Sequence, residues 1–195
     1  MTVTTDPVTL LSTALEQTGA IIGGIREDQL DLPTPCSSWN VTDLVSHLIH
    51  DLGQFTERAS GGTPDWSINV DGVGDDYLDR YRSGSERLVQ AWRDAGDLSG
   101  TVEIPGMGEV TKKFFVDQQI AEFAVHAWDL AVATGQSTHL DPAVGDAALA
   151  WGPTALRPEF RGGENDGKAF GPEVEVPQDA PLYDRLAAFF GRRAG

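Results

Sequence analysis

The sequence predicts a mainly α-helical fold: a four-helix bundle with a small β-hairpin and a short C-terminal extension that mixes helix with irregular chain. Three observations carry this expectation. Four segments of about 20 residues place apolar side chains at helical spacing. Gly, Pro and Asp punctuate the gaps, with neither a fixed-period repeat nor a long low-complexity linker. The clearest β-like runs are two short ones that flank a Pro/Gly turn. A chain of 195 residues fits one domain, 1–195, with the bundle up to about residue 156 and the extension after it.

The first helix is expected over about Pro7 to Ile25. Leu10, Leu11, Ala14, Leu15, Ile21 and Ile22 recur on one side, and Asp6-Pro7 is a helix-opening pair. Arg26 to Ser38 holds two prolines at Pro33 and Pro35 and reads as a loop. A second helix runs from about Asn40 to Ala59. Asn40 suits an N-cap, and Asp43 lies in the first turn, where an acid favours the helix dipole. Gly61-Gly62-Thr63-Pro64 ends it. The third helix spans about Asp75 to Ala95, with Tyr77, Leu78, Tyr81, Leu88, Val89 and Trp92 on its apolar side and Gly84 as a weak point. Thr101 to Ile104 and Glu109 to Thr111, around Pro105-Gly106-Met107-Gly108, predict the hairpin. The fourth helix, about Lys113 to Thr134, has the strongest pattern and is closed by Gly135. A fifth covers about Pro142 to Leu156. Arg157 to Ala180 is rich in Gly and Pro and reads as irregular, with a short strand possible where Val174 and Val176 alternate with Glu173 and Glu175. A last helix covers about Leu182 to Phe190.

Charge narrows the function classes. Against 30 Asp+Glu stand 14 Lys+Arg, a formal net charge of −16. Nucleic acids and anionic membranes are bound first through basic patches, so neither is an expected partner. One cysteine excludes an internal disulfide and a multi-Cys zinc site within one chain. The N-terminal MTVTTDPVTLLSTALEQ lacks a basic start, and no apolar run approaches the ~18 residues of a spanning helix. The expectation is a cytoplasmic protein, monomer or homodimer, that binds a small molecule.

Chemistry can come from four histidines: His47, His50, His126 and His139. On the second helix Val41, Leu44, Val45, Leu48, Leu52 and Phe55 form the apolar side. At about 100° per residue His47 falls at its margin and His50 almost opposite, facing solvent. On the fourth helix Gln118, Gln119, Glu122, His126 and Asp129 share a narrow stripe within a very wide apolar arc. Either this helix is central and the stripe lines an internal site, or the stripe is its one solvated edge. Glu122 and His126, four apart, rise from one face one turn apart and can converge on one ion, although a solvated surface contact has the same spacing. With His47 from a facing helix they form a His₂Glu set. Such a set suits Zn²⁺, Ni²⁺, Fe²⁺ or Mn²⁺ and leaves positions for water or substrate. Asp129, one turn on, can orient a ligand imidazole or be a plain acidic surface residue. His139 lies in a loop. Cys36 precedes the second helix, where a thiol pKa can be depressed, but it has no basic neighbour in sequence and reads as a packed small residue. Neither G-x-S-x-G nor a phosphate-binding glycine loop is present. The five tryptophans read as core.

These residues carry a resemblance. LPTPCSSWNVTDLVSHLIHDL is similar to a stretch of the DinB-like superfamily, and more closely to the branch with the N-terminal domain of mycothiol-dependent maleylpyruvate isomerase. EFAVHAWDLAVATG matches that branch's fourth-helix motif. FGPEVEVPQDAPLYDRLAAFFGR resembles the ending of a group of uncharacterised actinobacterial metal-binding proteins. The resemblance implies a four-helix bundle with a divalent metal, usually zinc, near one end, held by His47, Glu122 and His126. It also implies a transferase or isomerase that uses mycothiol or a similar thiol as cosubstrate on a small electrophile. The alternative is a non-catalytic metal-binding or regulatory bundle. The isomerase itself carries a larger C-terminal domain that helps bind substrate, which points away from maleylpyruvate here.

Overall fold

A computed structural model describes residues 5–37, 39–66, 74–104, 108–162 and 170–193. The α-helices are α1 (Pro7–Gly23), α2 (Val41–Ala59), α3 (Tyr77–Asp94), α4 (Lys112–Thr134), α5 (Pro142–Ala155) and α6 (Leu182–Phe189). The hairpin pairs β1 (Thr101–Ile104) with β2 (Gly108–Thr111), with Val102 opposite Val110; the turn at 105–107 lies outside the described residues. The expected starts rest on side-chain caps. The Asp6 carboxylate accepts from the Thr9 amide, and Asn40 and Asp43 cap each other's backbone N–H groups at the start of α2. Gly135 closes α4 in the left-handed conformation.

Helices α1 to α4 form the bundle. α1 packs against α3 and α4, and α2 packs against the same two. Side-chain pairs fix the directions. Thr18 of α1 donates to the Phe123 carbonyl of α4, and Gln136, just past α4, reaches back to the Ile21 carbonyl, so α1 and α4 run parallel. Phe55 meets Phe123 while Arg58 lies over Phe115, so α2 opposes α4. Tyr81 meets Phe123 while Trp92 bonds Gln119, so α3 also opposes α4. Gly84, a weak point for helix propensity, has a packing reason: a Cβ there would lie 2.9 Å from Leu52 Cδ1, so it lets α2 and α3 approach closely.

The wide apolar arc of α4 now has a cause. One side faces the bundle, and α5 and α6 pack on the other. Burial of Phe123, Ala124, Ala127, Trp128 and Leu130, all at most 1% exposed, makes α4 the central element. α5 together with α6 of the extension thus forms a second layer on the back of α4. The extension contains a 3₁₀ turn at Pro158–Phe160, and Val174 and Val176 lie in irregular chain rather than a strand. No helix among the described residues is long and apolar enough to cross a membrane.

Candidate metal centre

The site forms where the start of α2 faces the second half of α4. The reciprocal cap at Asn40 and Asp43 fixes the first turn of α2 and so the direction of His47, two turns on. The preceding loop is held by the Thr34 amide and hydroxyl, which both donate to the Trp39 carbonyl. That places the Trp39 indole over the His47 imidazole, with ring centroids 4.3 Å apart. From α4, Glu122, His126 and Asp129 project at spacings of four and three and so share a face.

Across the two helices the donors converge. Glu122 Oε1 lies 3.0 Å from His47 Nε2 and 3.0 Å from His126 Nε2. One ligating atom from each of the three residues lies within 4.8 Å of the other two. Ligands at 2.0–2.1 Å around a tetrahedral zinc ion are ~3.3 Å apart, so the observed spacings fit one ion with little rearrangement. The imidazole of His126 is also oriented for it. Its Nδ1–H donates to Asp129 Oδ2 at 2.9 Å, which leaves Nε2 to face Glu122 and His47. Asp129 is fully buried, which excludes the reading as a surface acid.

The electrostatics follow from burying these charges together. Burial alone would lower the His126 pKa, but the Glu122 and Asp129 carboxylates outweigh it and push it up to about 9. Burial would raise Glu122, yet His126 and His47 hold its carboxyl well below the usual range. His47 is lowered, by burial first, with Glu122 opposing. Without metal, the cluster is therefore a Glu122 carboxylate beside an imidazolium at His126. An ion that binds must displace that proton.

Three residues join the site that sequence reasoning did not assign to it. Asp51 Oδ2 lies 3.4 Å from His47 Nε2, and burial followed by the Glu122 charge pushes its pKa up to about 8. The signal was available, since His47 and Asp51 have the same spacing of four as Glu122 and His126. Trp39, read as core, forms a wall of the site. Arg192 of the extension reaches Asp129 Oδ2 with Nε at 3.3 Å and Nη2 at 3.2 Å. Nothing in the local sequence marks that contact.

The other candidates separate from the site. Gln119 is fully buried, and its Oε1 accepts from Trp92 Nε1 at 2.7 Å, so it is a packing contact within the bundle. His50 does not face solvent as the helical wheel has it. It is half-buried, and its Nε2 is buried with no hydrogen-bond partner among the described residues. His139 is exposed, as expected. Cys36 is half-buried and has Arg192 as a basic neighbour, in space rather than in sequence. The site keeps an open edge: the side chains of His47 and Glu122 are 24% and 19% exposed. A groove of about 580 Å³ between α1 and α3, with Tyr81 and Val89 in its wall, shares no residue with it.

The family described as mycothiol maleylpyruvate isomerase N-terminal domain matches residues 11–131, a span that includes His47, Glu122, His126 and Asp129. Two uncharacterized proteins of Mycobacterium tuberculosis, from strains CDC 1551 / Oshkosh and ATCC 25618 / H37Rv, are each 34% identical over 187 residues. The matched region covers 96% of this chain and 98% of each relative. No solved structure matches the chain. The chain belongs to the mycothiol maleylpyruvate isomerase N-terminal domain family, within the DinB-like superfamily.

Proposed function

We propose that this family member binds one divalent metal ion, zinc first among Zn²⁺, Ni²⁺, Fe²⁺ and Mn²⁺, through His47, Glu122 and His126. We further propose that it serves a transfer or isomerisation in which a low-molecular-weight thiol such as mycothiol acts on a small electrophile. The observation that carries this reading is the convergence of the three donors with an open edge at His47 and Glu122. Three protein ligands are the number found in catalytic rather than structural zinc sites. The bound metal would supply a lowered thiol pKa, so that thiolate is available at neutral pH.

The chain's own residues divide the remaining work. Glu122 brings one negative charge to the centre and His47 and His126 bring neutral nitrogens. Asp129 holds His126 in the tautomer with Nε2 toward the centre. Trp39 packs on His47 and narrows its approach from the loop side. Because the cosubstrate would carry the nucleophilic sulfur, Cys36 is not needed as a nucleophile. The formal net charge of −16 fits a small-molecule partner, with cytoplasmic residence, better than nucleic acid.

The test is thiol consumption by metal-loaded protein with mycothiol and a broad panel of electrophiles, beside Glu122→Gln. Turnover with one electrophile class, lost in the variant, is the expected result. No consumption with any electrophile, by protein that holds its metal, would replace this reading with a non-catalytic metal-binding or regulatory bundle.

A further inference from the structure

We propose that the C-terminal tail is a working part of the site. Arg192 is a positioning residue that acts through Asp129 to fix the orientation of His126, and thereby sets metal affinity. This inference rests on the reading of His126 as a ligand.

The argument begins at the end of α6. Gly191 has φ +86°, and the turn carries two closing bonds: the Gly191 amide to the Ala188 carbonyl at 3.0 Å, and the Arg192 amide to the Ala187 carbonyl at 2.9 Å. That pattern ends a helix with a sharp left-handed reversal and needs glycine at its centre. The position is doubly restricted. A Cβ on Gly191 would lie 2.9 Å from Gly171 Cα, so the neighbouring backbone leaves no room for a side chain. The reversal sends Arg192 inward instead of out to solvent, and the residue is only 8% exposed.

Once inside, the guanidinium is fully engaged with named partners. Nη1 donates to the Phe190 carbonyl at 2.9 Å, and Nε and Nη2 both donate to Asp129 Oδ2. The same oxygen accepts the Nδ1–H of His126. Asp129 Oδ1 has no hydrogen-bond partner among the described residues, so all of the carboxylate's bonds converge on one atom. A carboxylate this deeply buried needs a counter-charge, and Arg192 supplies it. A planar fork fixes where Oδ2 sits; a lysine would supply the charge without the two-pronged geometry. The contacts therefore run from the glycine reversal to Arg192, Asp129 and His126, with Arg192 63 positions beyond Asp129 in the chain.

The experiment uses the full chain. Zn²⁺ affinity is measured by competition with a chelator, and the visible ligand-field spectrum is recorded with Co²⁺ bound. The variants are R192L, R192K, G191A, D129N and the double variant D129N/R192L, with far-UV circular dichroism to verify helix content. R192L and G191A are expected to weaken Zn²⁺ about ten- to hundredfold, the usual cost of losing an outer partner of a ligand histidine, and to alter the Co²⁺ spectrum. R192K should recover part of the affinity. In the D129N background R192L should cost less than about threefold, since its route to His126 is already cut. If R192L does not fold, G191A and R192K carry the same decision. Wild-type affinity in folded R192L or G191A would overturn the proposal, as would an equal R192L loss with and without Asp129. A wild-type chain that binds no metal would instead overturn the reading of the site itself, and this inference with it.

Discussion

Two ends of one stripe on α4 use buried polar residues differently. At Gln119 a neutral amide is fully buried and joined to the Trp92 indole. Seven residues on, at His126, an imidazole is buried between two carboxylates and faces a second histidine across the bundle. Both positions are buried, and both lie on the same narrow strip. The difference is in the partners. A neutral hydrogen bond between helices holds the bundle together, whereas clustered titratable groups that share oxygen atoms shift one another's protonation, the mark of a candidate site. Burial and position alone do not distinguish structure from chemistry; the ionisation of the neighbours does.

The largest expected effect is at the charged end. His126→Ala should reduce Zn²⁺ binding below detection while far-UV circular dichroism stays helical, because the imidazole is one of three donors but a small part of the core. Unchanged stoichiometry by elemental analysis would remove His126 from the ligand set. At the neutral end the effects should reverse. Gln119→Leu leaves the Trp92 N–H unpaired at a cost of about 1–3 kcal/mol. For a chain of this size that is about 2–12 °C in Tm. Its Zn²⁺ affinity should match wild type, and a loss of affinity without a loss of stability would contradict the distinction between the two ends.

The pH dependence of the metal-free chain should sharpen the same comparison. The His126 pKa is raised from 6.5 to about 9, so its contribution to stability is complete below pH 6.5 and is lost as pH rises through about 9. The Asp51 carboxyl is raised from 3.8 to about 8, so the native state resists its ionisation, and stability falls as pH rises across that range. Glu122, held well below 4.5, contributes above that value and loses its contribution only on acidification through its lowered pKa. Metal-free protein should therefore melt several degrees lower at pH 9 than at pH 6, by about 5 °C or more. Zn²⁺ should flatten that alkaline loss, because the metal replaces the His126 proton, and should bind more tightly as pH rises. A metal-free melt that rises toward pH 9 would show that the cluster is not charged as described. The smallest effect is expected at the other histidine of α2: His50→Gln should keep Zn²⁺ affinity within about twofold of wild type, measured by the same chelator competition.

Much of this was legible in the sequence because local signals and packing agree. Asp6-Pro7, Asn40 with Asp43, and Gly135 mark helix ends by chemistry that acts within a turn, and those ends fall where they are expected. The wide apolar arc of α4 left two readings open, a central helix or one with a single solvated edge; contacts with α5 and α6 as well as with the bundle make it central. Glu122, His126 and Asp129 were singled out by their spacing on one helix and His47 by its place at the margin of the apolar side of α2, and the resemblance strengthened their grouping; the donors of His47, Glu122 and His126 do lie close together. Gln119 and Asp129 could not be told apart on the wheel, because their partners, Trp92 and Arg192, come from other elements. Arg192 was missed for the same reason. It follows a short helix in a segment without strong periodicity, and its role depends on a left-handed turn at Gly191 and on a carboxylate far away in the chain.

Metal content is the most direct measurement. Protein purified without chelator or His-tag should contain about one zinc or other transition ion per chain by elemental mass spectrometry, the number a single three-donor site holds. The His47→Ala variant should lose it. No bound metal even after reconstitution, or the same stoichiometry in the variant, would contradict a metal centre shared by α2 and α4.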